Sequence, residues 1–444
     1  MKDGELERHW TGLLDRLGRH GAAGLPSPDL ASLPELMDTY RVPGVGIAVA
    51  HRDGRSWSAG FGTTGAAPVA DDTVFQACSI SKHVTAFGAL RLVADGVLDL
   101  DADVGEYLTT WRLPAGASVT VRQLLAHTAG LTYNWFRGYG ADEPTPTLLQ
   151  TLEGVAPANT PPVRAALLPG SRFRYSGSHY AVLEQLMVDV TGTAFDELLR
   201  ALVLDPVAMA DSSFDQRFPH RRRSVAAGHH RCGTPVPGGW HTQPEMAGGG
   251  LWSTPADLLR LDLEIASAAA GESELLGRDL ATQMLTPQLP GTGYGLGTEL
   301  DDTPGRRKFG HSGENVGYTC FSYAWPDSGA AVAVMTNSDD TMPVQTAILA
   351  AAGRLYAAAA APAATDVVTG RYLLRDDYPL DVEAADGGLT LTAAGGHPAV
   401  LLPVEGGRYR HPVLDLEIDF RPGGLELRQE GVAQTATRIA GDRR

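Results

Sequence analysis

Apolar and polar positions alternate with different periods along the chain, and the changes of period mark its predicted elements. Near the start, apolar residues recur at helical spacing at Leu6, Trp10, Leu13, Leu14 and Leu17. A Pro-rich break at 25–28 follows this predicted helix, and residues 42–62 alternate as two strands joined by a turn at Arg52-Asp53-Gly54. From Ser79 the period becomes helical again and continues to a stop signal at Gly96.

The middle and the end of the chain have different patterns. Residues from about 100 to 300 mix short predicted helices with loops rich in Gly and Pro, whereas strand patterns return near 308. A turn at 326–329 separates two of these strands, and a predicted helix from Pro343 to Ala358 follows them. The Ala-rich tract 357–366 is typical of a linker, and the short alternating segments after it predict a small closed or sandwiched β-domain.

These patterns predict two domains of different class. A chain of 444 residues is long enough for two or three folding units, and its 43% apolar and 20% charged residues are ordinary for a globular protein. An α+β domain is predicted for residues 1–360, and an all-β domain for residues 367–444.

The net charge and the length of the apolar runs indicate which partners and which cellular compartment to expect. The chain has 36 Lys and Arg against 52 Asp and Glu, and the net charge of −16 would repel a nucleic acid backbone. No run reaches the roughly 18–20 continuous apolar residues of a membrane span, so no membrane partner is expected. The first thirty residues lack the apolar core of a secretory signal, which predicts a cytoplasmic protein.

No metal or cofactor is expected from the sequence. The three cysteines, Cys78, Cys232 and Cys320, are too widely spaced for a CxxC metal site. The segment 228–232 (GHHRC), taken with His241, matches no standard zinc-ligand spacing, so a surface loop is favoured there. Cys78 is expected to be a buried, inert thiol, because a small apolar residue suits the junction in which it lies.

Ser79 and Lys82 are the first candidates for chemistry. They lie three residues apart at the start of a predicted helix, and this spacing places them on one face. A serine hydroxyl becomes a nucleophile when a nearby base removes its proton, and a lysine amine can be that base if its pKa is lowered. The spacing alone is also typical of a capped, solvated helix start.

Two later motifs strengthen the interpretation. Tyr175 lies in a loop rich in Pro and Gly, within Arg174-Tyr175-Ser176-Gly177, just before a predicted helix. The motif His311-Ser312-Gly313 precedes a Gly-rich strand along which a substrate can approach the backbone. Ser-x-x-Lys, a later Tyr and a late His-x-Gly form an ordered set.

This set resembles the motifs of the penicillin-recognising serine hydrolases, in the branch of class C β-lactamases, D-aminopeptidases, D,D-carboxypeptidases and β-lactamase-like esterases. The segments 119–131 (VTVRQLLAHTAGL) and 249–258 (GGLWSTPADL) are similar to two further segments of the family. The resemblance extends in order from about Leu33 to Tyr356. From about Val367 the chain resembles the lipocalin-like barrel that some of these hydrolases carry.

The resemblance implies an antiparallel sheet flanked by helices, a helical subdomain, and an active site between them. Ser79 would be the nucleophile, with Lys82 and Tyr175 sharing the proton transfers. His311 would line the cleft as a further catalytic residue, and the backbone N–H groups of Ser79 and Glu314 would form the oxyanion hole. The residues implied to contact substrate are Gly177, Ser312, Gly313 and Glu314.

Two departures from the family pattern narrow the implied activity. His311-Ser312-Gly313 stands where β-lactamases and many D,D-peptidases have Lys-Thr-Gly, so the fixed cation that holds a substrate carboxylate is replaced by a largely neutral group. Gly177 stands where the second motif commonly ends in Asn, so the amide that contacts the substrate is missing. Both changes disfavour efficient β-lactamase or carboxypeptidase activity.

Three functions remain open from the sequence. The first is a serine acyl-enzyme hydrolase of ester or amide substrates, including D-amino-acid-containing peptides. The second is a transacylase or peptide cyclase that transfers the acyl group from Ser79 to an amine or alcohol. The third is a non-catalytic binding or sensor protein on the same fold, which the complete set of Ser79, Lys82 and Tyr175 disfavours.

Overall fold

The structure is a computed structural model, and the residues it describes fall into two compact units. The first unit comprises Met1–Leu6, Arg41–Asp301 and Lys308–Thr341, and the second comprises Glu7–Tyr40, Asp302–Arg307 and Met342–Arg444. The described residues are 3–20, 26–113, 118–222, 224–231, 233–302, 307–339, 341–356, 369–374, 378–385, 388–393, 399–404, 408–411, 416–421, 423–429 and 432–439.

The described helices and strands follow one another along the chain in mixed order. The α-helices are α1 (Asp3–Leu14), α2 (Leu33–Tyr40), α3 (Ile80–Ala94), α4 (Val121–Leu125), α5 (Leu148–Glu153), α6 (Gly177–Thr191), α7 (Phe195–Leu199), α8 (Met246–Gly249), α9 (Pro255–Ala270), α10 (Arg278–Met284) and α11 (Met342–Tyr356). Short helical turns are η1 (Val104–Glu106), η2 (Arg200–Leu204) and η3 (Pro219–Arg221). The strands are β1 (Leu17–His20), β2 (Pro26–Ala31), β3 (Gly44–His51), β4 (Ser56–Gly62), β5 (Phe75–Gln76), β6 (Trp252–Ser253), β7 (Glu299–Asp301), β8 (Lys308–Asn315), β9 (Tyr318–Trp325), β10 (Ala330–Thr336), β11 (Gly370–Leu373), β12 (Pro379–Ala385), β13 (Gly388–Ala393), β14 (Ala399–Val404), β15 (Arg408–Arg410), β16 (Leu416–Arg421), β17 (Gly424–Gln429) and β18 (Val432–Arg438).

The first unit is built around a six-stranded antiparallel sheet. Its strand order is β4-β3-β10-β9-β8-β7, so strands from the start and the end of the unit lie side by side. Helix α9 packs against β3, β9 and β10, and helix α3 contacts β8 and β9. A continuous apolar core joins these helices to the sheet and includes Val84, Phe87 and Leu90 of α3. The start of α3 is thereby held close to strand β8.

Local sequence signals explain where the helices near the site begin and end. The Ser176 side chain accepts a hydrogen bond from the backbone N–H of Ser178 and caps α6, and Gly192 ends this helix with a φ of 66°. The Thr254 side chain accepts from the N–H of Asp257 at the start of α9, and Pro255 occupies the first turn, where its missing N–H costs nothing.

The predicted α+β class is confirmed, as are most of the predicted elements. The hairpin at 42–62 corresponds to β3 and β4, the helix after Ser79 to α3, and the strands after 308 to β8, β9 and β10. The helix predicted to start at Pro343 corresponds to α11, whose predicted last residues, 357–358, lie outside the described residues.

Two predictions about the elements were wrong. Residues 26–28 do not form a simple break, because they begin β2, which pairs with β1 in a two-stranded ribbon. Paired strands at this position satisfy backbone groups that a bare Pro-rich break leaves to water. The region from 100 to 300 also holds a long helix that was not predicted, α9 with 16 residues, whereas α6 confirms the helix predicted after Gly177.

The second unit contains the predicted all-β domain, and its class is confirmed as a closed barrel. Strands β11 to β18 pair in sequence order, and β11 also pairs with β18 to close the barrel. Side chains fill the interior, with Tyr372, Tyr409 and Phe420 in contact. The same unit contains α2, α11 and most of α1, where Nε1 of Trp10 donates to the Tyr356 hydroxyl at 3.0 Å.

The predicted domain boundary was not tested, because the linker 357–366 and the positions between 360 and 367 lie outside the described residues. Within the part of the chain that the structure describes, no helix is long and apolar enough to cross a membrane.

Candidate active site

A sharp turn presents Ser79 at the start of α3. The N–H of Ala77 donates to the carbonyl of Leu251 at 2.8 Å, and Cys78 then adopts a left-handed φ of 50°. Ser79 follows as the N-cap residue of α3. The Ser81 hydroxyl fixes the turn, because it donates to the carbonyl of Cys78 at 2.6 Å and accepts from the N–H of Leu251 at 2.9 Å. The side chain of Ser79 therefore has a defined position.

Lys82 lies one helical turn after Ser79 and reaches back to it. Its Nζ donates to Oγ of Ser79 at 3.0 Å and to the carbonyl of Gly248 at 2.6 Å. The side chain is only 3% exposed, and this burial lowers the pKa of Lys82 to about 7. The amine is then largely neutral just above pH 7, which is the form that can accept a proton.

Tyr175 completes the group. Nζ of Lys82 lies 4.9 Å from the centre of the Tyr175 ring. Burial raises the pKa of Tyr175 well above its ordinary value of 10, and the nearby Ser79 hydroxyl offsets only part of that rise. Tyr175 is therefore a neutral phenol at pH 7. The structure brings Ser79, Lys82 and Tyr175 into one cluster.

A buried pair of histidines supports the ring of Tyr175. His127 stacks at 4.2 Å between ring centres, and its Nδ1 lies 2.9 Å from Nδ1 of His179. The N–H of Ser176 also donates to Nδ1 of His127 at 3.3 Å. Burial lowers the pKa of both histidines, so both rings are neutral. His127 thus positions Tyr175 from below.

Gly177 stands where a side chain has no room. A Cβ added there would lie 2.6 Å from the Phe136 ring and 2.9 Å from the carbonyl oxygen of Asn134. The same carbonyl accepts the N–H of Gly177 at 2.9 Å, so the backbone is fixed in this position. The loop residues Asn134 and Phe136 therefore fill the space next to Gly177.

His311 lies in β8 with both ring nitrogens engaged. Its Nδ1 bonds the carbonyl of Ser312, which only accepts, so Nδ1 carries the proton. Its Nε2 then accepts from the Tyr294 hydroxyl at 3.0 Å. Burial, together with the positive charge of Lys82, lowers the pKa of His311 well below its ordinary value of 6.5. At 1% exposure, His311 is a neutral residue beneath the cleft surface.

Ser312 and Gly313 follow on the same strand. The Ser312 hydroxyl donates to Oε1 of Glu299 at 2.8 Å, and the Ser312 N–H donates to the same oxygen at 3.2 Å. A Cβ added to Gly313 would lie 2.6 Å from the backbone nitrogen of Ser79, so only glycine allows this close approach. Glu314 comes next, exposed and opposite Thr319 in the ladder with β9.

Three residues of the site were not predicted from the sequence: Tyr294, Glu299 and Glu184. Tyr294 and Glu299 lie on the loop before β7 and on β7 itself, and strand pairing brings them to β8. Glu184 is buried on α6 and its Oε2 accepts the N–H of Ala247 at 2.8 Å, in the turn that also holds the Gly248 carbonyl. An acidic residue flanked by apolar residues in a predicted helix was the only available signal, and it was available for Glu184 alone.

The other candidate residues, Cys78 and the histidines of the segment 228–232, are held by contacts within the protein. Cys78 is fully buried, as predicted, and burial raises the pKa of its thiol. Nδ1 of His229 bonds the carbonyl of Asn337, and Nδ1 of His230 bonds Asp339. Cys232, which completes the motif with these histidines, lies outside the described residues.

Comparisons with known proteins bear on the whole arrangement. The family model described as β-lactamase matches residues 31–355. Penicillin-binding protein 4 of Amycolatopsis lactamdurans is 28% identical over 324 residues, which cover 68% of this chain and 82% of that protein. Esterase EstB of Burkholderia gladioli is 29% identical over 319 residues, covering 61% of this chain and 79% of that protein. The crystal structure of SurE with D-Leu matches with a TM-score of 0.60 and 25% identity, covering 92% of this chain and 97% of that chain.

Proposed function

Because the chain belongs to the β-lactamase family of penicillin-recognising serine hydrolases, we propose that it cleaves esters or amides through an acyl-enzyme on Ser79. The observation that carries the proposal is the 3.0 Å contact between Nζ of Lys82 and Oγ of Ser79. With its pKa lowered to about 7, the Lys82 amine can accept the serine proton near neutral pH.

Acylation uses all three clustered residues. Oγ of Ser79 bonds to the substrate carbonyl carbon while its proton passes to Nζ of Lys82. Tyr175, which stays a protonated phenol in the free protein, donates its proton to the leaving group as the scissile bond breaks. The Lys82 ammonium then returns a proton to Tyr175. The products are acyl-Ser79, the protonated leaving group, and Lys82 and Tyr175 in their starting forms.

Deacylation repeats these transfers with water as the nucleophile. Lys82, back in its neutral form, removes the proton of the water as its oxygen attacks the acyl carbon, and Oγ of Ser79 regains that proton as it leaves. In each step the carbonyl oxygen gains negative charge, and we assign its hydrogen bonds to the backbone N–H groups of Ser79 and Glu314. The position of Ser79 at the N-cap of α3 and the close approach of Gly313 to its nitrogen support this assignment.

Two relatives support the substrate class. One is named an esterase, and it is 29% identical to this chain. The SurE structure, 25% identical, is a complex with D-leucine. We therefore propose esters or amides of D-configured amino acids as substrates. Gly177 and His311-Ser312-Gly313, which are expected to border the substrate, lack the Asn amide and the Lys cation on which β-lactam substrates of the family depend.

The proposal is tested by hydrolysis of p-nitrophenyl esters of N-acetyl-D-leucine and N-acetyl-L-leucine. The wild type is expected to hydrolyse the D ester faster, and Ser79→Ala is expected to lower kcat at least about a thousandfold. Ser56→Ala, which changes an exposed serine on β4, is the matched control and should keep wild-type activity. Turnover that survives in folded Ser79→Ala would contradict the proposal.

Transfer of the acyl group to an amine is the second candidate function. A neutral Lys82 can remove a proton from an attacking amine as it does from water. The same acyl-enzyme can therefore react with either one. Adding a D-amino acid amide to the ester assay distinguishes the two. An N-acyl product that forms at the expense of the free acid supports transfer, whereas the free acid alone supports hydrolysis.

A further inference from the structure

Strand β8 has a segment at Ser312 whose polar groups are already occupied by the protein's own residues. The ladder between β7 and β8 runs from Lys308 to Gly310, so Ser312 lies beyond it. The Ser312 N–H and hydroxyl both donate to Oε1 of Glu299, at 3.2 and 2.8 Å. The Ser312 carbonyl accepts from Nδ1 of His311. Ser312 therefore directs both of its donors to a carboxylate of the protein itself, at the middle position of the motif that stands in place of Lys-Thr-Gly.

The hydrogen bonds of Glu299 are those of an ionised carboxylate. In addition to the two bonds from Ser312, Oε2 of Glu299 accepts from the Tyr323 hydroxyl. Three donors on two oxygens suit the charged form, and the positive charge of Lys308 acts in the same direction. Burial opposes them and raises the pKa of Glu299 above its ordinary value of 4.5. A test at pH 8 favours the ionised form, because a carboxyl group loses its proton as the pH rises.

The charge of Glu299 acts on the reacting groups, and its side chain is partly exposed. It raises the pKa of both Lys82 and Tyr175. Its side chain is 26% exposed, whereas the neutral His311 beside it is 1% exposed. His311, as a neutral ring with both nitrogens engaged, supplies no positive charge to balance that carboxylate.

We propose that Glu299 is a specificity-determining residue that rejects a carboxylate on the leaving-group side of the cleft. The substrate would then carry a neutral or cationic group there, as an ester, a carboxamide or an amine does. A negative group placed against Ser312 would face the Glu299 carboxylate and would displace its bonds to the Ser312 N–H and hydroxyl. This inference rests on the proposed function, because it concerns the leaving group of the same reaction.

The test uses three aryl esters of N-acetyl-D-leucine that differ in one substituent of the leaving phenol. The substituents at the 3-position are a carboxylate, a carboxamide and an aminomethyl group, and kcat/KM is measured at pH 8. The wild type is expected to favour the carboxamide over the carboxylate at least about tenfold. Glu299→Gln is expected to reduce this preference about tenfold and to slow the cationic ester. Comparing ratios between variants cancels the intrinsic reactivity of the leaving phenols.

Two further variants separate charge from structure. Glu299→Asp keeps the charge but shortens the reach to Ser312, so it should keep the preference against the carboxylate. Glu299→Gln keeps an acceptor for the Ser312 N–H but loses the charge. Glu272→Gln, which removes a carboxylate that pairs with Arg52 elsewhere in the unit, is the control for net charge and should match the wild type. Thermal unfolding checks that each variant is folded.

The results that overturn the inference are distinct from those that overturn the proposed function. Equal kcat/KM of the wild type for the carboxylate and carboxamide esters would overturn the inference without any variant. The inference would also be overturned if Glu299→Gln kept the wild-type preference for the carboxamide ester over the carboxylate ester. Loss of that preference in Glu299→Asp to the same extent as in Glu299→Gln would overturn it too. Hydrolysis of the carboxamide ester that persists in Ser79→Ala would instead contradict the proposed function.

Discussion

Lys82 owes its proposed chemistry to burial. In water a lysine amine is almost fully protonated at pH 7 and makes a poor base. In this protein the amine is enclosed by α3 and α8, and its hydrogen bonds go to a hydroxyl and a carbonyl, neither of which is charged. Desolvation is the largest cause of its lowered pKa. The same side chain on an exposed helix would be only a solvated cation.

The pH dependence of acylation follows from that pKa. The neutral, proton-accepting form of Lys82 is present above its pKa of about 7 and is lost as the pH falls through that value. We therefore expect kcat/KM for a neutral ester to rise with pH around a midpoint near 7. Lys82→Arg, which stays protonated at all these pH values, should lower kcat/KM at least about a hundredfold. A flat profile from pH 5 to 9 would contradict Lys82 as the base.

Gly177 gives a second prediction at the residue scale. Gly177→Asn, which introduces the residue common in the family, should destabilise the fold by about 1–3 kcal/mol, because its Cβ would collide with Phe136 and the Asn134 carbonyl. Gly192→Asn is the control, since a Cβ there meets no atom within 4 Å and Asn tolerates a left-handed φ. Urea unfolding of both variants provides the measurement, and equal stabilities would contradict the steric explanation.

The residues of the site differ in how far the sequence reveals them. Ser79 and Lys82 are predictable because one helical turn brings them together, and that contact is local. Glu299 and Tyr294 reach β8 through strand pairing and a loop, and no spacing in the sequence records such a contact. The neutral state of His311 was expected near pH 7, but its bonds to Tyr294 and Ser312 depend on the fold.

At the scale of elements, helix α8 and its support by α6 control the position of Lys82. The Gly248 carbonyl of α8 accepts from Nζ of Lys82, and the adjacent Ala247 N–H donates to Oε2 of Glu184 on α6. Glu184 is 1% exposed, and burial raises its pKa well above the ordinary 4.5. Burial therefore favours the protonated form of Glu184, whose Oε2 holds α8 by accepting the Ala247 N–H.

This burial predicts a pH-dependent stability. A raised folded-state pKa means that the stabilising contribution of Glu184 is complete below its unfolded value of 4.5 and declines as the pH rises above it. Glu184→Gln keeps an acceptor and cannot ionise, so it should match the stability of the wild type at pH 4 and exceed it at pH 8. Urea unfolding at both pH values measures this difference.

The control for this prediction is Glu197→Gln on α7, whose side chain is exposed. Its free energy of unfolding should differ from that of the wild type by the same small amount at both pH values. If the free energy of unfolding of Glu184→Gln differs from that of the wild type by the same amount at pH 4 and pH 8, the account of a buried, protonated Glu184 is contradicted.

Periodicity predicted the elements with strong amphipathic or alternating patterns. Helix α3 has an apolar face and a Gly stop signal, and β9 and β10 are separated by a Pro-Asp-Ser-Gly turn, so both were found. The pairing of β1 with β2 was missed because Pro residues normally disfavour strands. Helix α9 was missed because Gly and Pro around 249–255 suggested a loop, although Thr254 and Pro255 cap its start.

At the scale of the whole molecule, the chain joins a β-lactamase-type unit to a closed barrel. A small closed or sandwiched β-domain was predictable from its closely spaced turns, because short strands joined by tight turns usually pair with their neighbours in the sequence. The sheet order β4-β3-β10-β9-β8-β7 was not, because β3 and β10 are separated by more than 270 residues. The inclusion of residues 7–40 in the unit of the barrel is likewise a contact of distant segments that no local pattern encodes.

The measurement that tests the central claim most directly is intact-protein mass spectrometry after brief exposure to an activated ester of N-acetyl-D-leucine. The mass is expected to increase by one acyl group, peptide digestion should locate it on Ser79, and the adduct should decay in water. Faster decay with an added amine would support transfer as the second function. Ser79→Ala should gain no adduct, and Ser56→Ala should match the wild type. An adduct on another residue, or turnover by folded protein without any acyl-Ser79, would contradict the account.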